Sequence, residues 1–178
     1  MFAAIARRLA SALCVFAVVT ASAAPLEYQV KASYLYNFVQ FITWPSDASA
    51  SPSASEGKFN LCIVGAERFG NALDALVGER IDGREIALRR LERPAQARAA
   101  RCHLLFIAAG TPEVNSGEAV SERGLLTIGE TPGFLQRGGI INLVEHNGRI
   151  RFEINQQAAR TAGLVISSRI LSLALNKP

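Results

Sequence analysis

The chain has 178 residues, 49% of them hydrophobic, and a formal charge of +4. That length supports one domain with a real core, and that composition excludes global disorder. The two arginines at positions 7 and 8 supply part of the charge, and without them 17 basic residues stand against 15 acidic ones. Such a balance is too weak for a nucleic-acid-binding surface.

Residues 1–23 read as a secretory signal. Arg7 and Arg8 precede an apolar run over 9–19, and Ala21-Ser22-Ala23 supplies small residues for cleavage. The run is short for a bilayer span, which needs about 20 apolar residues. The expected mature domain is 24–178, exported from the cytoplasm. Residues 26–44 then form the first predicted helix. Val30, Tyr34, Phe38, Phe41 and Ile42 recur at spacings of three and four, with Leu35 widening the stripe. Pro45 marks its end. Tyr34, Phe38, Phe41 and Trp44 make this segment rich in aromatics, and two readings stay open: core packing, or a partner-facing surface, where aromatics concentrate binding energy.

Residues 46–57, rich in Ser, Ala and Pro, read as an exposed loop. The run FNLCIV over 59–64 predicts a buried strand, and 65–77 a glycine-led turn followed by a helix. The glycines lack the spacing of a phosphate loop. Asp82-Gly83 predicts a turn before a strand over 85–91, with Arg84, Arg89, Arg90 and Arg93 as a charged, solvated edge. Residues 94–101 make a short helix or turn, and CHLLFIA over 102–108 is the clearest buried strand. His103 stands alone there, without an acid or cysteine constellation, and reads as a hydrogen-bonded structural residue. Thr111 and Pro112 begin a helix pattern over 111–124, 125–128 is a further strand, and 134–137 is a short helical turn. Strand and helix predictions alternate from 59 to 128. They indicate a single-domain α/β fold, an open mixed sheet flanked by helices.

The closing run adds a late antiparallel hairpin. Asn147-Gly148 suits both central positions of a two-residue turn that needs positive φ. The register then opposes His146 to Arg149, Glu145 to Ile150 and Leu143 to Phe152. Ile141, Leu143, Ile150, Phe152 and Ile154 fall on a core face, with Glu145 near the turn. Asn142, Val144, His146, Arg149, Arg151 and Glu153 fall on a wet or ligand-facing one. Asn155 suits a helix N-cap and Gly163 a C-terminal stop.

Of the three cysteines, Cys14 leaves with the signal, and Cys62 and Cys102 remain, an even number in an oxidising compartment. A disulfide between them would close a loop of about 40 residues, worth roughly 3–4 kcal/mol on a loop-entropy model. The alternative is two buried thiols, since cysteines in adjacent parallel strands are poorly aimed for bridging. Neither the cysteines nor the two histidines form a metal-ligand pattern. No GxSxG, HExxH or CxxC motif is present, so no catalytic residue, metal or cofactor is assigned.

VKASYLYNFVQFITWP, CHLLFIAAG and GGIINLVEHNGRIRFEINQQAARTAGLVISSRILSLA together resemble the YfiR family of periplasmic proteins, from about Tyr28 to Ala174. The discriminating parts are Phe41, Trp44 and Pro45, the RIRFEIN run over 149–155, and Ala162-Gly163-Leu164 before a Ser-rich final helix. The resemblance implies an α/β domain that dimerises and acts in cyclic-di-GMP signalling without catalysis. It implies repression of an inner-membrane diguanylate cyclase through the cyclase's periplasmic sensor region, with an outer-membrane lipoprotein able to sequester the repressor. It also places an oxidisable pair at Cys62 and Cys102. A second cysteine pair, carried by some members in the late hairpin, is missing here. The alternative function is a periplasmic binder of a small anionic or nucleotide-like ligand on Asn142, His146, Arg149, Arg151 and Glu153, with Arg160 and Arg169 further along the chain. Arginine forks suit carboxylates and phosphates.

Overall fold

The computed structural model describes residues 25–45, 57–65, 68–81, 83–111 and 122–176. The signal over 1–23 with Cys14, the loop over 46–56, Asp82 and most of the helix expected over 111–124 lie outside them. The described strands form one seven-stranded sheet and one two-stranded sheet. The large sheet contains β2 (Lys58–Val64), β3 (Arg80–Ile81), β4 (Arg84–Leu91), β5 (Leu104–Ile107), β6 (Leu126–Gly129), β7 (Ile141–His146) and β8 (Arg149–Ile154). Its order is β3-β4-β2-β5-β6-β7-β8. The five central strands run parallel, and β3 and β8 pair antiparallel at the two borders. This is the mixed α/β sheet that the alternating pattern predicts.

Period-two side-chain alternation sends residues of each central strand to two cores. Phe59, Leu61 and Ile63 of β2 join Leu104, Phe106, Leu126, Ile128 and Leu143 in the larger one, which α1 (Leu26–Gln40) covers. Cys62 and Val64 join Leu105, Ile107, Ala97, Leu125 and Phe134 in a smaller one on the other side. There Phe134 lies across Gly129: a Cβ at Gly129 would sit 2.6 Å from the ring, and one at Gly139 would overlap it as well. Gly129→Ala is expected to cost about 1–3 kcal/mol through overpacking, read as a lower midpoint in thermal unfolding.

Several boundaries differ from the sequence reading. The helix ends at Gln40 and not at Trp44, because β1 (Ile42–Thr43) pairs with β9 (Val165–Ile166) and the Ser167 amide donates to the Phe41 carbonyl. Strand pairing therefore captures the chain before Pro45 acts. The buried stripe of α1 is Tyr28, Lys31, Ala32, Leu35, Phe38 and Val39, and Val30 is 37% exposed. The helix expected within 65–77 is replaced, in the described part, by two short 3-10 turns, Gly70–Ala72 and Asp74–Leu76, with Gly70 at φ 50°. The strand expected over 102–108 is Leu104–Ile107, so Cys102 precedes it.

The hairpin follows the predicted register at every named pair, with Asn147 at φ 53° and Gly148 at φ 69°. Asn155 caps α2 (Gln156–Thr161): its Oδ1 accepts from the Ala158 amide at 2.9 Å. After α3 (Ser168–Leu171) the chain returns along the outer border of β8. The Leu175 amide donates to the Phe152 carbonyl, and the Asn176 side chain both accepts from the Ile154 amide and donates to its carbonyl.

Candidate functional site

The aromatic residues of the first segment are mostly spent inside the fold. Phe38 is 1% exposed and meets Phe152 edge to face at 5.0 Å, while Tyr34 stacks on Phe38 at 5.5 Å. The Tyr34 hydroxyl donates to the Ile150 carbonyl at 3.1 Å, which docks α1 onto β8. Trp44 packs edge to face on Phe59, and its Nε1 is buried without a hydrogen-bond partner among the described residues. Phe38 is a core residue; Tyr34, Phe41 and Trp44 are half-buried and keep part of their surface outside.

One turn earlier on the same helix lies a charged network that sequence reasoning missed. Lys31 is 5% exposed and pairs with Glu27 and with Glu130, whose side chain is 4% exposed. The Tyr28 hydroxyl donates to Glu130 at 3.1 Å, and the Ala109 amide donates to it at 2.9 Å. Glu130 follows β6 directly, so the network ties the first turns of α1 to the carboxyl ends of β5 and β6. Its signal was a lysine inside the apolar stripe, three residues after Tyr28 and four before Leu35. A charge there needs a buried partner.

Burial by itself would lower the Lys31 pKa. The hydrogen bonds to Glu130 and Glu27 and the field of Glu130 more than offset this and raise it above the ordinary 10.5. Burial, then the Glu130 charge, raises Tyr28 above its ordinary 10.0. The folded chain thus holds both protons longer than the unfolded chain does. Their contribution to stability is complete below the unfolded values and is lost as pH rises through the folded ones. Urea unfolding at stepped alkaline pH should show this loss above about pH 10, with a shallower slope in Lys31→Met.

Cys62 and Cys102 form a disulfide with Cα atoms 5.8 Å apart. Cys102 lies before β5 and after Arg101, which adopts a positive φ of 51°, so the cross-strand aiming problem does not arise. The same corner is held by Asn60, whose Nδ2 donates to the Arg101 carbonyl and whose Oδ1 accepts from Arg89. His103 is a structural residue here: its Nδ1 accepts from the Asn60 amide at 2.8 Å and its ring stacks on Phe59.

The five hairpin residues proposed as ligand contacts do not converge. Arg151 donates to the Leu173 carbonyl, and His146 and Arg149 are exposed beside the turn. Asn142 is not on a wet surface but 5% exposed, because β6 pairs across it through Gly129. Asn142 and Glu153, directly opposed in register, instead line a crevice of about 410 Å³ between the start of α1, the 130–133 loop and the hairpin. It lies where β6 has ended and β7 runs on. Crevices beyond the carboxyl ends of parallel strands are the usual ligand positions of open α/β sheets. Arg137 braces the loop wall by donating to Thr131 Oγ1 and the Pro132 carbonyl. Among the described residues no group of three His, Cys, Asp or Glu side chains is placed to hold a metal, and no helix is long and apolar enough to cross a membrane.

A family model described as YfiR/HmsC-like matches residues 28–175. No curated protein matches the chain at a significant level. Seven solved chains do. One is a conserved domain protein from Vibrio cholerae O1 biovar El Tor, 12% identical with a TM-score of 0.51. The likeness covers 87% of this chain and 60% of that one, and at this identity it concerns the fold alone.

Proposed function

From the premise that the chain belongs to the YfiR/HmsC-like family, we propose that it is a non-enzymatic periplasmic regulator of cyclic-di-GMP signalling. In this reading it represses an inner-membrane diguanylate cyclase by binding the cyclase's periplasmic sensor region. The observation that carries the proposal is the extent of the family match, which takes in every described strand and helix except the first two residues of α1. Export requires the signal over 1–23, leaving 24–178 as the working domain. The same reading includes a homodimer and sequestration by an outer-membrane lipoprotein. The surface left for partners is the outer edge of Tyr34, Phe41 and Trp44 with its surroundings, since Phe38 is enclosed.

Deleting the gene in its own host is expected to raise cellular cyclic-di-GMP. Restoring the full chain should lower it, and restoring only 24–178, retained in the cytoplasm, should not. Equal nucleotide levels in all strains would sink the proposal. The second reading, an anion or nucleotide-like binder on the hairpin, is disfavoured by Arg151 being tied to Leu173 and by the acidic surroundings of Asn142.

A further inference from the structure

The crevice at the carboxyl end of β6 carries a specific imbalance. Its walls include four carboxylates, Glu27, Glu130, Glu145 and Glu153, and a single cation, Lys31. Lys31 is consumed by Glu27 and Glu130. Glu145 and Glu153 have no ion-pair partner among the described residues. Independently, Asn142 lines the same space, is 5% exposed, and its Oδ1 is buried with no hydrogen-bond partner among the described residues. A buried acceptor left in that state costs about 1–3 kcal/mol.

The unpaired carboxylates of Glu145 and Glu153 and the Asn142 Oδ1 can only accept, and four carboxylates against one cation leave the walls net negative, although the Gln136 and Asn142 amides also carry N–H donors. A ligand that completes them must bring donors and positive charge. An ammonium brings three N–H donors and a guanidinium five, in a fork that matches a carboxylate. The about 410 Å³ volume falls in the small-molecule range. We propose that this crevice is a binding site for a small organic cation, a primary ammonium or guanidinium compound, held by Glu153, Asn142 Oδ1 and the field of Glu145. The site does not depend on the repressor reading, and it takes the opposite charge from the anion suggested by the hairpin arginines.

The test is calorimetry on residues 24–178 with agmatine, its uncharged comparator butylurea, inorganic phosphate, and the blocked peptide acetyl-Gly-Arg-Gly-amide. Agmatine is expected to bind and butylurea not to. Glu153→Gln should weaken agmatine about tenfold or more, as loss of a charge-assisted hydrogen bond implies. Glu79→Gln, next to β3 at the opposite border of the sheet, should leave binding unchanged, and circular dichroism should show both variants folded. Agmatine binding no better than butylurea, or equally well to Glu153→Gln, overturns the site. Phosphate binding that Glu153→Gln strengthens overturns it in favour of an anion. Tighter binding of the peptide than of agmatine overturns the small-molecule assignment and makes the crevice a pocket for a partner's basic side chain. Because the readout is binding by purified protein, its failure leaves the cyclic-di-GMP experiment untouched.

Discussion

Lys31→Ala is expected to destabilise the domain by about 3–5 kcal/mol, because it leaves Glu130 charged, buried and without its cation. Glu130 keeps the Tyr28 hydroxyl and the Ala109 amide as donors, but neither carries charge. The loss should therefore exceed that of an exposed ion pair, which is worth roughly 0–1 kcal/mol. A double replacement, Lys31→Met with Glu130→Leu, removes both charges and fills similar volume. It is expected to recover most of the loss, since apolar replacement of a buried pair is often neutral or stabilising. Urea unfolding of wild type, each single variant and the double variant forms the cycle. Additive losses in the double variant would show that the two residues do not act as a pair.

Loss of the Cys62–Cys102 bond is the second large effect. The bond spans 40 residues of sequence and includes β3, β4 and the 3-10 turns within its loop. It is anchored in the smaller core, where Val64, Ala97, Leu105, Ile107, Leu125 and Phe134 are the buried neighbours of Cys62. Freeing that loop in the unfolded chain is expected to cost about 2–5 kcal/mol. Cys62→Ala with Cys102→Ala should match the reduced wild type to within the small cavity term. Oxidised and reduced proteins with the same urea midpoint would contradict the expectation.

What the sequence disclosed follows the range of the forces involved. The hairpin register was legible because Asn147-Gly148 is a local signal that sets every pair from His146–Arg149 to Ile141–Ile154. The Asn155 cap was legible for the same reason. The end of α1 was not, because its cause is the pairing of Ile42 with Ile166, far along the chain. The Lys31–Glu130 pair was hidden by a separation of 99 residues. Without Glu130 in view nothing local places Lys31 inside, because Val30 meets the spacing to Tyr34 as well as Lys31 meets the spacing to Leu35. Period two puts Asn142 on the polar side of the hairpin, but it says which side a residue takes and not what lies beyond it.

The way the chain ends on β8 bears on how copies of the molecule can meet. A bare border strand is an invitation to intermolecular sheet growth and fibril formation. Here Leu175 and Asn176 occupy the Phe152 carbonyl and the Ile154 amide and carbonyl, groups that an incoming strand would use. These contacts stand against a dimer built by fusing two sheets into one across this part of the border. Leu175 and Asn176 act as a safeguard against runaway polymerisation, leaving side-chain surfaces to mediate any pairing of copies.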